Sequence, residues 1–200
     1  ACEQIRRIRG VEIDIEKIPL DDEKTIELFR QANTTGVFQL ESSGMKRYLK
    51  ELQPTKFDDI IAMIALYRPG PMELIPDFIS RKRGKTEISY LHPRLEPILK
   101  STYGIAVFQE QVLEIARELA GFSYSEADVL RKAIGKKIKK LLDEQREKFV
   151  QGMMKNGIVK ATAEQLFRFV EPFARYGFNR AHAAIYGMIG TMANPGDAAP

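Results

Sequence analysis

The sequence predicts a mainly α protein, an irregular multi-helix domain with little or no sheet. Apolar residues recur every three or four positions along most of the 200 residues, which is the period of a helix with one buried face. Glycine and proline separate these stretches, as expected where helices end. Alternating patterns typical of strands are almost missing. We therefore expect about eight to ten helices packed irregularly around a core.

Three helices are predicted in the first third of the chain. One occupies 19–33 and begins at a pair of aspartates, which are good caps. After a glycine-containing break, an amphipathic helix covers 42–54 and a more apolar one covers 55–66. The last of these must end before Pro69, because a residue that precedes proline avoids the helical region.

The middle of the chain starts with a rigid turn, "YRPGP". Pro76 suits the first turn of the next helix, and Gly84 follows that helix's cationic end. The segment "HPRLEPILK" is at most a short helix. "IAVF" is predicted to be a brief extended piece, and the polar residues "QEQ" after it are interpreted as caps of the following helix.

Longer helices are predicted in the second half. A well-patterned helix covers 109–121 and ends at its glycine, and Ser123–Glu126 matches a capping box that starts the next one. Two more helices follow at 141–157 and 162–177, and Pro172 is expected to bend the second.

The C-terminal end changes character. The last helix is expected to begin near Asn179 or Arg180. Residues 191–200 contain proline, glycine and small residues, and they are predicted to form a disordered tail. We therefore assign 1–190 to one domain and separate the tail from it.

The composition excludes several protein classes. Lys and Arg total 31 against 27 for Asp and Glu, so the net charge of +4 permits a nucleic-acid or nucleotide partner without arguing for one. The single cysteine, Cys2, cannot form an internal disulfide. No apolar run approaches the roughly 20 residues that span a bilayer. Because the first residues also lack a signal-peptide core, we expect a cytoplasmic protein with no membrane partner.

Several kinds of catalytic site are not predicted. No GxxxxGK[ST] phosphate loop and no GxSxG turn is present. The two histidines, His92 and His182, are far apart, and no Cys/His cluster could hold zinc. The acidic pairs Asp21–Asp22 and Asp58–Asp59 lie at predicted helix starts, where carboxylates favour the helix dipole, so capping explains them better than a metal site.

Four cations cluster in "LRKAIGKK", namely Arg131, Lys132, Lys136 and Lys137. The apolar residues of this segment form the buried face of a helix, which leaves the cations near a helix end beside a flexible glycine. Arginine forks and lysine ammonium groups suit phosphate oxygens. A solvated face with C-terminal cations explains the same pattern, and both interpretations stay open.

The turn "YGFNRAH" combines rings with positive charge. Tyr176 and Phe178 flank a glycine, Asn179 can cap the helix that follows, and Arg180 and His182 come next. Bases stack on aromatic faces, and a helix N-terminus favours phosphate. The alternative is a helix-ending glycine between two core aromatics, and the spacing does not decide between them.

Two further segments are basic. One is the proline-clamped turn that contains Arg68, and the other is "RKRGK", which holds Arg81, Lys82, Arg83 and Lys85. Such segments can contact a nucleic-acid backbone, although most basic runs are only solvated.

Five segments together resemble one known family. They are "TTGVFQLESSGM", "ALYRPGPM", "TYGIAVFQEQV", "LAGFSYSEADVLRKAIGKK" and "YGFNRAHAAIYG". They occur in this order and at these spacings in the alpha subunit of bacterial DNA polymerase III, the C-family replicative polymerases. The resemblance extends from about Gly10 to Ile189.

The resemblance implies template-directed DNA synthesis. The polymerase core of this family has a palm, a thumb and a helical fingers domain, and this chain is similar to most of the fingers. The metal-binding aspartates of the family lie in the palm, so Mg²⁺ would bind outside this chain, and we expect the isolated chain to be inactive. The implied partners are primer-template DNA, a dNTP and other replisome subunits, including the sliding clamp.

The resemblance also implies roles for single residues. The cations of "LRKAIGKK" would meet the dNTP phosphates, Arg131 foremost, and Arg180 would join them. The "YGFN" turn would lie against the nascent base pair, which implies that role for Tyr176, Phe178, Asn179 and His182. Arg180 stands where the family more often has lysine, which keeps the charge and alters its geometry.

A second hypothesis is a non-catalytic helical module whose basic faces bind nucleic acid or protein. A fingers-like chain should lose nucleotide binding when Arg131 becomes Ala. A general basic module should instead spread the loss over many cations and depend steeply on salt.

Overall fold

The computed structural model describes residues 2–14, 17–136 and 139–192. These residues form eleven α-helices and no strand, which confirms the mainly α prediction. The helices are α1 Cys2–Arg9, α2 Glu23–Gln31, α3 Ser43–Leu52, α4 Phe57–Leu66, α5 Ile75–Lys82, α6 Glu96–Leu99, α7 Gln109–Ala120, α8 Tyr124–Lys136, α9 Lys139–Lys155, α10 Lys160–Tyr176 and α11 Arg180–Met192. Short 3₁₀ turns at Pro71–Leu74 and Pro93–Leu95 precede α5 and α6. The sequence did not predict α1.

An N-terminal core is formed by α2 to α5 together with the C-terminal α11. The side chains of Phe29, Leu49, Ile60 and Phe78 are fully buried in it. All residues of α4 from Asp59 to its end are buried. Because it has no polar face, α4 lies at the centre of this core.

A C-terminal core is formed by α6 to α10. Phe149 of α9 is its central ring, with Phe122 and Phe167 packed edge-to-face at centroid distances of 6.1 and 5.5 Å. Edge-to-face contacts of this kind add to the stabilisation from burial. Leu130 and Ile134 of α8 are buried here, so the predicted inner face of the "LRKAIGKK" segment is confirmed.

The last helix, α11, returns from the second core to pack on α4. Its contact face carries small residues, among them Ala183 and Gly187, which are buried. A Cβ at Gly187 would lie 2.9 Å from the ring of Phe57. The absence of a side chain there is what permits the close approach of the two helices.

The two cores meet near the end of α10. Phe173 packs against both of them. Beside it, Phe108 and Phe178 form an isolated parallel β-bridge. The predicted extended piece "IAVF" does not form a strand in the described chain, and its last residue, Phe108, takes part in this bridge.

Several predicted helix ends are confirmed. The Asp22 carboxylate accepts a hydrogen bond from the Thr25 N–H at 2.8 Å at the start of α2. Ser123 and Glu126 form the predicted capping box, with hydrogen bonds of 3.3 and 2.8 Å. Gly121 ends α7 in the left-handed conformation, with φ +71°.

The C-terminal boundary differs from its prediction. Thr191 and Met192, which were assigned to the tail, complete α11, and the Thr191 hydroxyl donates to the Met188 carbonyl at 2.8 Å. Residues 193–200, the rest of the predicted tail, lie outside the described residues. Pro172 lies inside α10, and the bend expected there stays a prediction.

Candidate functional site

Three segments that are far apart in sequence meet at the turn between α10 and α11. The Phe178 N–H donates to the Val107 carbonyl at 3.2 Å, and the Gln109 N–H donates to the Phe178 carbonyl at 3.0 Å. The Gln109 side-chain amide donates to the Gly177 carbonyl at 3.0 Å. The turn is therefore fixed to the N-terminus of α7 through backbone groups.

Gly177 is required at this turn because of its surroundings. Its φ of −54° is open to any residue. A Cβ, however, would lie 2.7 Å from the Phe173 carbonyl oxygen and 3.1 Å from the Gln109 nitrogen. Both neighbours are backbone atoms, which cannot move aside cheaply. Of the two interpretations that the sequence left open, the one with core aromatics on either side of the glycine holds only in part, because Tyr176 is 45% exposed.

The start of α11 is capped from two directions. The Asn179 side-chain oxygen accepts from the His182 N–H at 2.8 Å, which confirms Asn179 as the N-cap. The Glu110 carboxylate accepts from the Asn179 amide at 2.9 Å and from the Arg180 N–H at 3.1 Å. A negative charge thus lies at the positive end of the α11 dipole.

Arg68 holds the proline-clamped turn against this site. Its guanidinium lies 4.6 Å from the Phe178 ring centroid and donates to the Tyr176 carbonyl and, at 2.8 Å, to the Ala65 carbonyl. Burial lowers the pKa of Arg68. These protein contacts give Arg68 a structural role here, and its predicted contact with a nucleic-acid backbone stays a prediction.

The ring of Tyr176 lies beside Gly70 of the proline-clamped turn. A Cβ at Gly70, whose φ is +96°, would lie 3.2 Å from the Tyr176 ring, so both conformation and space favour glycine. Beneath the ring is a mainly apolar cavity of about 280 Å³, lined in part by Pro71, Val107 and Phe173. The ring is therefore seated on the junction of the two cores.

Arg180 joins α11 to α4 across the surface. Its Nη2 donates to the Asp58 carboxylate at 2.8 Å, and its guanidinium carbon lies 5.7 Å from the Phe108 ring centroid. The side chain remains 49% exposed. An exposed pair of this kind is weak and can exchange partners, so the Arg180 charge stays available to an anion.

A series of four rings begins at the turn and follows α11. Phe178 lies 5.5 Å from His182, His182 lies 4.4 Å from Tyr186, and Tyr186 lies 5.3 Å from Phe38, all between ring centroids. We call Phe178, His182, Tyr186 and Phe38 the ring series. It brings two residues predicted for the site together with two that were not.

The α8 cations form a second group. Arg131 and Lys132 pair with Asp128 on their own helix, at 2.7 and 2.6 Å. Hydrogen bonds from Lys132 and Arg131 lower the pKa of Asp128. Lys136 is exposed, and Lys137 lies outside the described residues. The hydrogen bonds and ion pairs described for Arg131 and Lys132 all go to Asp128.

The basic residues at the end of α5 and just after it differ in their contacts with the rest of the protein. The Arg81 guanidinium donates to the Tyr103 carbonyl at 3.3 Å, and the Arg83 guanidinium donates to the Glu51 carbonyl at 3.1 Å. Lys85 is exposed. Arg81 and Lys85 thus remain candidates for contact with a nucleic-acid backbone.

Lys82 is not retained as such a candidate. Its side chain is only 7% exposed, and its ammonium lies 3.4 Å from the buried Asp59 carboxylate and donates to the Gln53 carbonyl at 2.8 Å. Asp59 also accepts from the Tyr103 hydroxyl at 2.7 Å. Burial, together with this hydrogen bond, raises the pKa of the Tyr103 phenol. Lys82 belongs to a buried network that joins α4 and α5.

Among residues 2–14, 17–136 and 139–192, no three His, Cys, Asp or Glu side chains lie close enough to hold a metal ion. None of the helices in this described part is both long enough and apolar enough to cross a membrane.

Sequence reasoning did not identify three residues of this site. Tyr186 could have been found, because it follows His182 by four positions and so shares a helix face with it. Glu110 was interpreted as a cap of its own helix, and nothing local indicates that it caps α11. Phe38 is in a loop far away in the sequence, and only the tertiary structure places it here.

Comparison with known proteins gives a consistent result. A family described as "Bacterial DNA polymerase III alpha subunit finger domain" matches residues 1–157. The DNA polymerase III subunit alpha of Staphylococcus aureus (strain Mu50) is 50% identical over 186 residues, which are 93% of this chain and 18% of that protein. The protein of the same name from Halalkalibacterium halodurans is 51% identical over 186 residues, 93% of this chain and 17% of that protein. The chain thus spans less than a fifth of the length of these relatives.

Proposed function

Because this chain belongs to the bacterial DNA polymerase III alpha subunit finger domain family, we propose that it handles the incoming dNTP and the primer-template in a DNA-directed DNA polymerase. The observation that carries the proposal is the α10–α11 turn, where a half-exposed ring, Tyr176, and a half-exposed cation, Arg180, flank the start of a helix. Rings suit bases, and guanidinium groups suit phosphates.

The α8 cations are proposed to neutralise the dNTP phosphates. Arg131 and Lys132 are held by Asp128 in an ion pair that remains partly exposed. A triphosphate offers more negative charge than one carboxylate, so it can compete for both side chains. Lys136, Lys137 and Arg180 are proposed to assist, and the summed charge would stabilise the pyrophosphate that leaves.

The α10–α11 turn is proposed to select the shape of the nascent base pair. Tyr176 and Phe178 would supply ring surface, and Asn179 and His182 would flank it. The turn is fixed through the Gln109 and Phe178 backbone bonds, so it presents these groups without reorganisation. Arg81 and Lys85 are proposed to contact the DNA backbone.

The chemical step would take place at residues outside this chain. Palm aspartates would bind Mg²⁺ there, and the ions supply activation of the primer hydroxyl and stabilisation of the leaving oxygens. This chain would add cations and a preorganised surface. Primer-template DNA, the dNTP, other replisome subunits and the sliding clamp are the proposed partners, and the cytoplasm is the proposed location.

The test is Arg131→Ala in a complete alpha subunit that carries this chain. Loss of a charge-assisted phosphate contact should raise the KM for dNTP by about tenfold or more. Arg168→Ala is the matched control. Arg168 is an exposed arginine on α10, a helix that packs in the same core as α8, and it pairs with Glu164 at 3.7 Å. The control should leave the KM unchanged.

The same experiment separates the second hypothesis. If this segment is a general basic module, Arg131→Ala and Arg168→Ala should weaken DNA binding equally, each by a small factor that grows as salt is lowered. Equal effects of the two variants on the KM for dNTP would contradict the proposed function.

A further inference from the structure

The ring series continues beyond the part of the site that the proposed function uses. Phe178 and His182 lie at the turn, Tyr186 lies further along α11, and Phe38, from the loop between α2 and α3, packs against Tyr186. His182 and Tyr186 are four residues apart on α11, so they share one face of the helix, and Phe178 lies just before the start of that helix. The series therefore has a direction, away from the turn.

The far end of the series is exposed to solvent. Phe38 is 46% exposed, and His182 is exposed. Neighbouring rings are inclined to each other, by 59° between Phe38 and Tyr186 and by 49° between Phe178 and His182. Phe38 is held in place by Tyr186 and still presents ring surface that the protein does not cover.

Positive charge accompanies the series at both ends. The Arg68 guanidinium lies 4.6 Å from the Phe178 centroid. At the other end, the loop that carries Phe38 also binds the Lys46 ammonium, which donates to the Thr35 hydroxyl at 2.6 Å. Glu41, the acid of this loop, accepts from the Gly36 N–H at 3.2 Å. Rings accompanied by cations are the combination that binds single-stranded nucleic acid.

We propose that the ring series binds bases of the unpaired template strand as they approach the nascent base pair. This rests on the proposed function, which puts that base pair at the α10–α11 turn. Unpaired bases offer free faces for stacking, whereas the bases of a duplex do not, so the series suits a single strand. Phe38 and Tyr186 are the residues that this assignment adds.

The test measures binding of primer-template DNA to a complete alpha subunit that carries this chain. One DNA has a long unpaired 5′ template overhang with 2-aminopurine in it, and the other has a one-nucleotide overhang. Phe38→Leu should weaken binding of the long overhang by at least about fivefold and restore 2-aminopurine fluorescence that stacking quenches. Binding of the short overhang should not change.

Two matched variants complete the test. Phe38→Tyr keeps the ring and should bind the long overhang as the unaltered protein does. Tyr124→Leu removes another ring, which is 68% exposed, and should have no effect on binding. The guanidinium carbon of Arg117 lies 3.6 Å from the centroid of that ring. Unchanged binding of the short overhang by Phe38→Leu excludes a folding defect as the cause.

The result that would overturn the assignment is a Phe38→Leu protein that binds the long overhang normally with its fluorescence still quenched. If Arg131→Ala still raises the KM for dNTP in that case, the ring series alone has failed. If neither variant has an effect, the proposed function has failed as well.

Discussion

Gly177 is the residue on which the geometry of the α10–α11 turn depends most directly. Between Tyr176 and Phe178 the backbone passes so close to the Phe173 carbonyl and the Gln109 nitrogen that only a residue without a side chain fits. Spacing in the sequence indicated a glycine that ends a helix. The structure gives a second reason, which is the fixed bridge to α7.

We expect Gly177→Ala to destabilise the chain and to displace the turn. The new methyl group would meet two backbone atoms at 2.7 and 3.1 Å, and overpacking of this kind costs about 1–3 kcal/mol. Gly135→Ala is the control, because a Cβ there has nothing within 4 Å and the residue lies inside α8. It should be neutral or stabilise by about 0.5–1 kcal/mol. Urea unfolding measures both, and equal effects would contradict the argument.

Asp59 and Lys82 are expected to behave as one buried unit. Asp59→Ala leaves the Lys82 ammonium, 7% exposed, without its carboxylate, which costs about 3–5 kcal/mol. Adding Lys82→Met should recover at least about 1 kcal/mol, since the unpaired charge is removed. As a control, Glu164→Ala breaks the surface pair with Arg168 and should cost about 1 kcal/mol or less. Denaturant unfolding of the unaltered chain, of Asp59→Ala, Lys82→Met and their double variant, and of Glu164→Ala checks this, and strict additivity of the two single changes would contradict it.

Helix ends show how far local pattern extends in this chain. The caps at Asp22, Ser123 and Asn179 were predictable, because each side chain bonds to a backbone group within three residues. The second cap of α11 was not, because Glu110 reaches it from 70 positions away. Phe38 was missed for the same reason. Lys82 was predicted to contact a nucleic-acid backbone although its side chain is buried, because a basic run in the sequence does not indicate which of its side chains points into the protein.

The capping box at the start of α8 predicts a dependence of stability on pH. Hydrogen bonds from Lys148 and from Ser123 lower the pKa of Glu126 to about 2, from an ordinary value of 4.5. The folded-state pKa is the lower one, so the contribution of Glu126 is fully present above pH 4.5 and is lost as the pH falls toward 2. The difference in the free energy of unfolding between the unaltered chain and Glu126→Gln should therefore shrink over this window.

Lys148→Met provides the matched variant for that measurement. Lys148 is the first cause of the lowered pKa, through a contact of 2.6 Å. Without it, the folded-state pKa should lie closer to 4.5, so the Glu126 contribution should be smaller and its loss should be complete at a higher pH. A difference between the unaltered chain and Glu126→Gln that stays constant from pH 5 to pH 2 would contradict the assignment of this carboxylate.

The molecule as a whole consists of two cores that meet at the proposed site. Phe173 belongs to both, the cavity of about 280 Å³ lies beside it, and the α10–α11 turn crosses the junction. Arg68, which follows α4, thereby contacts the ring of Phe178, which precedes α11. The sequence predicted most of the helices and the motifs, but not α1, and the convergence of residues 68, 109 and 178 is a property of the tertiary fold alone.

The isolated chain is expected not to extend a primer. The carboxylates proposed to hold the catalytic Mg²⁺ lie outside it, and cations and rings alone do not activate a primer hydroxyl. A primer-extension assay with Mg²⁺ and all four dNTPs measures this, with a complete alpha subunit as the positive control. Extension by the purified chain would show that a catalytic group within it has been overlooked.

Photo-crosslinking of a bound nucleotide tests most directly whether α8 and the α10–α11 turn face the same dNTP. A complete alpha subunit carrying this chain would be loaded with primer-template and with dATP that bears an azide either on the base or on the γ-phosphate. Peptide mapping should find the base-linked label within residues 176–182 and the phosphate-linked label within 131–137. Labelling of neither segment, with both labels in α2 to α5 or outside this chain, would contradict the proposed nucleotide site.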